Sequence, residues 1–314
     1  MKSQQAGLFI VSIFLLALPL WVKSDVVLTI LVFSWLQGML AVSFNLIFGF
    51  TGQLSMFHAA AFGVAAYATH LFMQHLGVGY WTAVVLAALL VSVLSIIVGT
   101  ICFRFRLKEF YFAVVTLAFS EMARLTVLNW NDVTNGSLGI NLQEKPWLLG
   151  FKVDGTVPWY YLSLFALAAT LLVCWRVVHS WMGRCFSAIR LNDELGDTLG
   201  INVFRYKLAA FVAGNVIAAI AGSLYAFYLG SLEPGFLSID QSLGIVAMVL
   251  LGGRSSVFAP VAGALLLTAL PHLIHFSAEV RSIVYGSILI LTILVLPQGI
   301  YGSIAALLRK RHAA

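Results

Sequence analysis

Between Trp81 and Phe103 the chain runs for 23 residues, "WTAVVLAALLVSVLSIIVGTICF", without a charged side chain. About 20 apolar residues in a helix cross the roughly 30 Å hydrocarbon core of a bilayer. Comparable apolar segments fill 6–22, 26–48, 52–74, 110–128, 158–175, 208–229, 239–252, 257–276 and 281–305. A water-soluble fold would have to leave most of these faces in solvent. Only 10% of the 314 residues are charged and 61% are hydrophobic, against the roughly 25% charge of soluble domains. The chain is therefore expected to be all-α: one polytopic membrane bundle over 1–314, with about 8–10 transmembrane helices. Two segments are weak. The stretch 52–74 carries histidines, and 239–252 is too short to cross unaided, so re-entrant pieces are expected.

The formal net charge is +6. In a membrane protein such an excess reads as basic loops meeting anionic lipid, not as a nucleic-acid surface. The basic residues gather in three places: Arg104, Arg106 and Lys108; Arg176, Arg184, Arg190, Arg205 and Lys207; and Arg309, Lys310 and Arg311. An even number of segments separates each cluster from the next. All three therefore fall on one side, which the positive-inside rule makes the cytoplasm. Both termini are then cytoplasmic. The polar stretch 129–157, with Asn129, Asn131, Asp132 and Asn135, is the largest external loop. Cys102, Cys174 and Cys185 fall at or near cytoplasmic ends, where thiols stay reduced.

Chemistry-bearing motifs are sparse. No lysine follows a glycine, so no phosphate-cradling G-x-x-x-x-G-K-[ST] loop exists and this chain is not expected to hold ATP. No H-E-x-x-H occurs, no metal set is expected, and no catalytic triad is legible; an enzyme is not expected. Glu121 and Arg124 lie three apart on "TLAFSEMARL" and can pair. That pair reads either as structural or as a polar group facing a permeation path. In "GFTGQLSMFHAA", Gly49 and Gly52 interrupt the apolar pattern, while Gln53, Ser55 and His58 bring polar groups to membrane depth. Irregular backbone is tolerated there only when buried in protein or lining a cavity. Gly214, Ala218, Gly222 and Ala226 recur every four residues, a face on which helix backbones approach closely.

The most polar long stretch is "AIRLNDELGDTLG", 188–200, within a cytoplasmic loop over 176–207. Asn192 is a good N-cap, Asp193 and Glu194 suit the positive end of a helix dipole, and Gly200 suits the residue after a helix end. Leu191, Leu195 and Leu199 follow one another every four residues and make an apolar stripe. Arg184 and Arg190 precede it. Such a helix either lies on the membrane surface or docks in a partner's groove. Gly196 inside it costs about 1 kcal/mol relative to Ala, so packing must hold it.

The run "GRCFSAIRLNDELGDTLGINVFRYKLAAFVAGNVIAAIAGSLYAF" resembles the coupling loop and following span of ABC-importer permeases, in particular the LivM-type permeases of the branched-chain amino acid family. Five further blocks agree in order: "NLIFGFTGQLSMFHAAAFGVAAYA", "FRLKEFYFAVVTLAFSEMARL", "TNGSLGI", "LEPGFLSIDQSLGIVAMVLLGG" and "PVAGALL". The resemblance extends over about 30–305. It implies an inner-membrane permease for branched-chain or related small amino acids, driven by separate subunits. The implied partners are two ATP-binding-cassette subunits, which use the ATP, a second homologous permease and a solute-binding protein. It implies that Arg184, Ala188, Arg190, Asn192, Asp193, Glu194, Leu195, Leu199 and Gly200 form the surface coupled to an ATPase. Asn45, Gly52, Gln53, Ser55, His58 and Glu121 are the candidates for the translocation path. The sequence departs from the family where Leu195 and Gly196 replace two Ala, where Phe57 and Asn135 replace Gly, and where "RSSVFAP" replaces a Gly-rich stretch. A permease of the same family for urea or short amides, or a stand-alone secondary carrier, stays open at this point.

Overall fold

The computed structural model of the chain describes residues 15–22, 24–107, 109–142, 147–148, 151–152, 155–254, 256–274, 286–287 and 299–303. The last apolar segment, 281–305, lies largely outside these, as do most of 6–22 and the whole of the Arg309–Arg311 cluster. Among the described residues five helices are long and apolar enough to cross a membrane. They are α1 (Asp25–Thr51), α3 (Tyr80–Arg104), α4 (Glu109–Asn129, apolar from Phe110), α5 (Thr156–His179) and α8 (Val203–Leu229). Between them lie α2 (Phe57–Leu76), α6 (Trp181–Leu191), α7 (Asp193–Thr198), α9 (Ile239–Gly252) and α10 (Ala259–Ile274). The multi-pass helical architecture is as the apolar segments predict. At about 1.5 Å per residue, the 14 residues of α9 reach roughly 21 Å, short of the bilayer core.

α1 is the axis of the bundle. Its side chains from Val32 to Ile47 are buried, and α5, α8, α9 and α10 pack around it. The stripe of small residues does what its spacing predicts. Gly214, Ala218, Gly222 and Ala226 are all buried along α8. A Cβ on Gly222 would lie 2.0 Å from the Phe62 carbonyl oxygen of α2, and one on Gly214 would lie 2.9 Å from the Ser43 carbonyl oxygen of α1. With no side chain in the way, backbones meet and dispersion contacts replace a hydrophobic drive that lipid cannot supply.

Chain continuity orders the two faces. α2 and α3 are joined by a short link at Gly77–Gly79, so α3 returns to the face α2 left. At the far face Ile140 and Asn141 pair antiparallel with Leu232 and Ser231, tying the long polar loop to the end of α8. Asn135 in this loop takes the left-handed conformation (φ 58°) that its Gly counterpart would adopt freely, and its Nδ2 donates to the Gly139 carbonyl at 2.8 Å. Asn is among the few residues that tolerate this region. At the opposite face the α3–α4 turn meets α7 through Arg106 and Asp197, 3.2 Å apart. The first two basic clusters therefore share a face, as the segment count requires.

Candidate functional site

The polar loop folds into two capped helices, not one. Ser180 Oγ accepts from the Met182 N–H at 3.1 Å and starts α6. Asn192, extended at φ −164°, ends α6 and starts α7; its Oδ1 accepts from the N–H groups of Glu194 (2.8 Å) and Leu195 (3.2 Å). The kink corrects the reading of a continuous leucine stripe. Leu191 ends α6, whereas Leu195 lies on α7 and Leu199 at its C-cap. All three are nonetheless exposed, at 85%, 56% and 68%. α7 ends as Gly200 predicts, at φ 78°, with Ile201 N–H donating to Gly196 O and Gly200 N–H to Asp197 O, both at 3.0 Å. This doubly bonded end satisfies carbonyls that the last turn leaves open.

The other expected coupling residues divide by direction. Arg184 is exposed, its guanidinium 4.9 Å over the Trp181 ring, and Ala188 is half-buried. Gly196 is buried near Ile189 and Val203. Asp193 accepts from Lys207 Nζ at the start of α8. Arg190 points back into the bundle, where its NH1 donates to the Gly49 carbonyl at 2.6 Å. Burial and the neighbouring Arg254 guanidinium lower its proton affinity, but an arginine stays charged across any physiological pH. Arg254 itself lies 5.9 Å from the Phe48 ring, so α1 ends among two arginines that favour its partly negative carbonyl end.

Beyond Gly49, α1 stops. Gly52 adopts φ 78°, and Gln53–Met56 are not helical before α2 begins at Phe57. Neighbouring helices satisfy this broken backbone. The Met56 N–H donates to Thr116 Oγ1 of α4 at 3.0 Å, and Ser242 Oγ of α9 donates to the Met56 carbonyl at 3.2 Å. Ser55 is buried and its Oγ accepts from the Phe57 N–H at 3.2 Å. His58 is buried between Ser43 of α1 and Asn215 of α8, each 2.9 Å from one ring nitrogen. Asn45 is buried and donates to the Ser256 carbonyl at 3.0 Å. Gln53 is 4% exposed. Glu121 and Arg124 close on each other along α4 at 2.5–3.0 Å.

The island and the break face a common cleft. Thr51 and Gln53 from the break, Phe103, Arg106, Leu107 and Phe110 from the α3–α4 turn, and 189–194 with Asp197 from the island line about 860 Å3. Of the candidates for the path, the structure brings Gln53 to this cleft. It places Asn45, Ser55 and His58 between helices and Glu121 on α4 in its ion pair. Reading the sequence missed Asn215, a lone amide in an apolar span and so legible in principle. It also missed Arg106, whose left-handed backbone (φ 48°) nothing in the pattern announces. Among the described residues no three His, Cys, Asp or Glu side chains converge as a metal site.

The fold and this site define a multi-pass membrane protein with a polar island anchored to one face and a broken helix beneath it. The chain belongs to the family described as the branched-chain amino acid transport system permease component, whose pattern matches residues 26–295. It is 27% identical over 332 aligned positions to the high-affinity branched-chain amino acid transport system permease protein LivM of Escherichia coli K12, covering 98% of this chain and 77% of that one. Its identity to LivM of Salmonella typhimurium LT2 is 28%, covering 83% of this chain and 66% of the other. It is also 24% identical to the permease protein LivH of that Salmonella strain, over 84% of this chain and 91% of LivH.

Proposed function

We propose that this chain is one membrane-spanning subunit of an ATP-driven importer of branched-chain amino acids in the bacterial inner membrane. It works with two ATP-binding-cassette subunits, a second homologous permease and a solute-binding protein. ATP is bound and hydrolysed by the partner subunits and not by this chain. The similarity to both LivM and LivH supports a paired permease. The observation that carries the reading is the island. A short helix capped at both ends exposes Leu195 and Leu199, while Arg190 and Asp193 anchor it to α1 and α8. An exposed apolar edge on a rigid, charged element fits a partner's groove. Anchoring at the end of α1 carries movement of the island to the break at Gly52–Met56. The island face is then cytoplasmic, with both termini on that side, and the Ile140–Leu232 ladder faces outward.

The test is reconstitution of the chain with the four partner subunits in vesicles. ATP-dependent uptake of labelled leucine, absent when either the ATPases or the solute-binding protein is omitted, is the expected outcome. Uptake of urea or a short amide in place of leucine would overturn the substrate class. Leucine uptake by this chain alone would overturn the ATP-driven mechanism.

A further inference from the structure

The first turn of α9 puts an acid where lipid is a poor neighbour. Gln37 stands near the centre of the 27 residues of α1. At about 1.5 Å per residue it lies roughly 18 Å from one helix end and roughly 21 Å from the other, inside a hydrocarbon core about 30 Å thick. The Gln241 side chain of α9 reaches it, Nε2 donating to Gln37 Oε1 at 3.4 Å. α9 therefore begins at mid-depth, after a short connection from the Ile140–Leu232 ladder. Ser238 Oγ caps its start, accepting from the Gln241 N–H at 3.2 Å. From Gly244 to Val249 the helix is buried. Its beginning is not. Glu233, Gly235, Ile239, Asp240 and Leu243 are all exposed, a strip that leads from the ladder face to mid-depth and stops there.

Hydrocarbon accepts Ile239 and Leu243 but strongly disfavours a carboxylate beside them. An ionisable side chain at this depth faces either the bundle interior or water. Asp240 is exposed, so the interior of this chain does not enclose it. We infer that Asp240, Gln241 and Gln37 form the mid-depth wall of the path along which solute crosses, and that Asp240 faces water there. As a path this wall rests on the importer reading proposed above, in which the second permease closes the seam laterally and keeps lipid out. The residues of the α1 break are placed differently: Asn45, Ser55 and His58 are packed between helices, and Glu121 is held by Arg124. Ser242, one residue beyond Gln241, donates to the Met56 carbonyl and ties the wall to that break. Movement of the break then reaches the wall through α9.

The experiment is thiol labelling in vesicles that carry this chain with its four partner subunits. The buried Cys102, Cys174 and Cys185 are replaced by Ala. One Cys is then placed at Gln241 or, as a control, at Val93, an exposed residue in the middle of α3. Water-soluble methanethiosulfonates, cationic or anionic, are admitted to both faces by freezing and thawing, and mass spectrometry of this chain reads the rate. Gln241→Cys should react at least ten-fold faster than Val93→Cys. Adding Asp240→Asn should lower the ratio of cationic to anionic rate at least three-fold, because the carboxylate no longer draws the cation. Full reaction of Gln241→Cys should cut uptake by the resealed vesicles at least ten-fold, while the same treatment leaves the Cys-free complex unaffected. Because the block follows assembly, misfolding cannot produce it. A Gln241→Cys rate no higher than that of Val93→Cys would overturn the wall. So would an unchanged ratio, or uptake that survives full reaction. Labelling as expected in a complex that shows no uptake before treatment would count against the importer reading instead.

Discussion

Lys207, at the membrane-proximal end of α8, gives its ammonium to the Asp193 carboxylate in the first turn of α7. The lysine side chain is 6% exposed and the aspartate side chain 51%. The pair therefore holds a cation that could not stay buried alone, and it fixes the island to the bundle.

Replacing Asp193 by Asn should destabilise the protein. Breaking a fully buried pair costs roughly 3–5 kcal/mol, while exposed pairs contribute about 0–1. With Asp193 half in water, a loss of about 1–2 kcal/mol is expected. Adding Lys207→Met to Asp193→Asn should recover most of it, because the stranded cation is removed. Thermal unfolding of the three variants in detergent checks this. A double variant less stable than the single would mean that the ion pair contributes beyond mutual charge compensation.

Two glycines should respond oppositely to alanine. At Gly222 the new Cβ would meet the Phe62 backbone at 2.0 Å, so α2 and α8 must separate. A loss of about 1–3 kcal/mol is expected, the range for overpacking. At Gly196 the nearest atom is Val203 Cγ2 at 3.4 Å, an ordinary contact. There the helix gain of up to about 1 kcal/mol should prevail, leaving stability equal or higher. The midpoints of thermal unfolding should move in opposite directions or, at Gly196, stay put.

His58→Leu should strand the fully buried Asn215 Oδ1, while Ser43 Oγ keeps its bond to the Leu40 carbonyl. A cost of about 1–3 kcal/mol per unsatisfied group is expected. His58→Gln, which can still reach one of the two partners, should cost less. Equal losses would show that ring packing against Phe44, at 5.5 Å, matters more than the hydrogen bonds.

Much of this was legible because membrane constraints are blunt. Long uncharged runs specify spans, and the four-residue recurrence from Gly214 to Ala226 specifies a close helix face. Asn192 and Gly200 announce the ends of α7 because capping is local chemistry. What was not legible is the separate helix α6 before it: an i, i+4 leucine spacing reads as one stripe through Asn192, whereas Leu191 ends α6 and Leu195 lies on α7. The role of Arg190 was likewise hidden. Its neighbours in sequence suggest an outward partner, and its actual acceptor, Gly49, lies 141 residues away. The polar residues around the α1 break read alike in sequence, and both Gln53 and His58 are buried, yet their places differ: Gln53 borders the cleft, while His58 is held between α1 and α8.

Topology gives a direct check on the two faces. Asn141 and Asn192 are both exposed and lie on opposite faces, and Cys102, Cys174 and Cys185 are buried. A Cys at Asn141 should react with an impermeant thiol reagent in intact cells. A Cys at Asn192 should react only after the membrane is opened. The reverse pattern would invert the orientation and put the island outside.

The coupling role turns on Leu195. Its side chain is 56% exposed and lies on α7, whose ends are held by Asn192 and Gly200. Leu195→Glu therefore has little to disturb within this chain, and membrane insertion and thermal stability should stay within about 0.5 kcal/mol, as for ordinary surface changes. In a partner's groove the same change buries an unpaired carboxylate, which is strongly penalised. Residues central to an interface cost over 1 kcal/mol when altered, and here about 2 kcal/mol or more is expected. That corresponds to a loss of roughly thirty-fold in affinity. The complex should lose its ATPase subunits during purification, or keep them and lose substrate-stimulated hydrolysis. If α7 instead lay on lipid with no partner, Leu195→Glu would weaken vesicle binding and leave transport nearly intact. Purifying the variant complex and measuring subunit recovery, hydrolysis and uptake together separates the two. Wild-type values for all three would remove α7 from the path between ATP and transport.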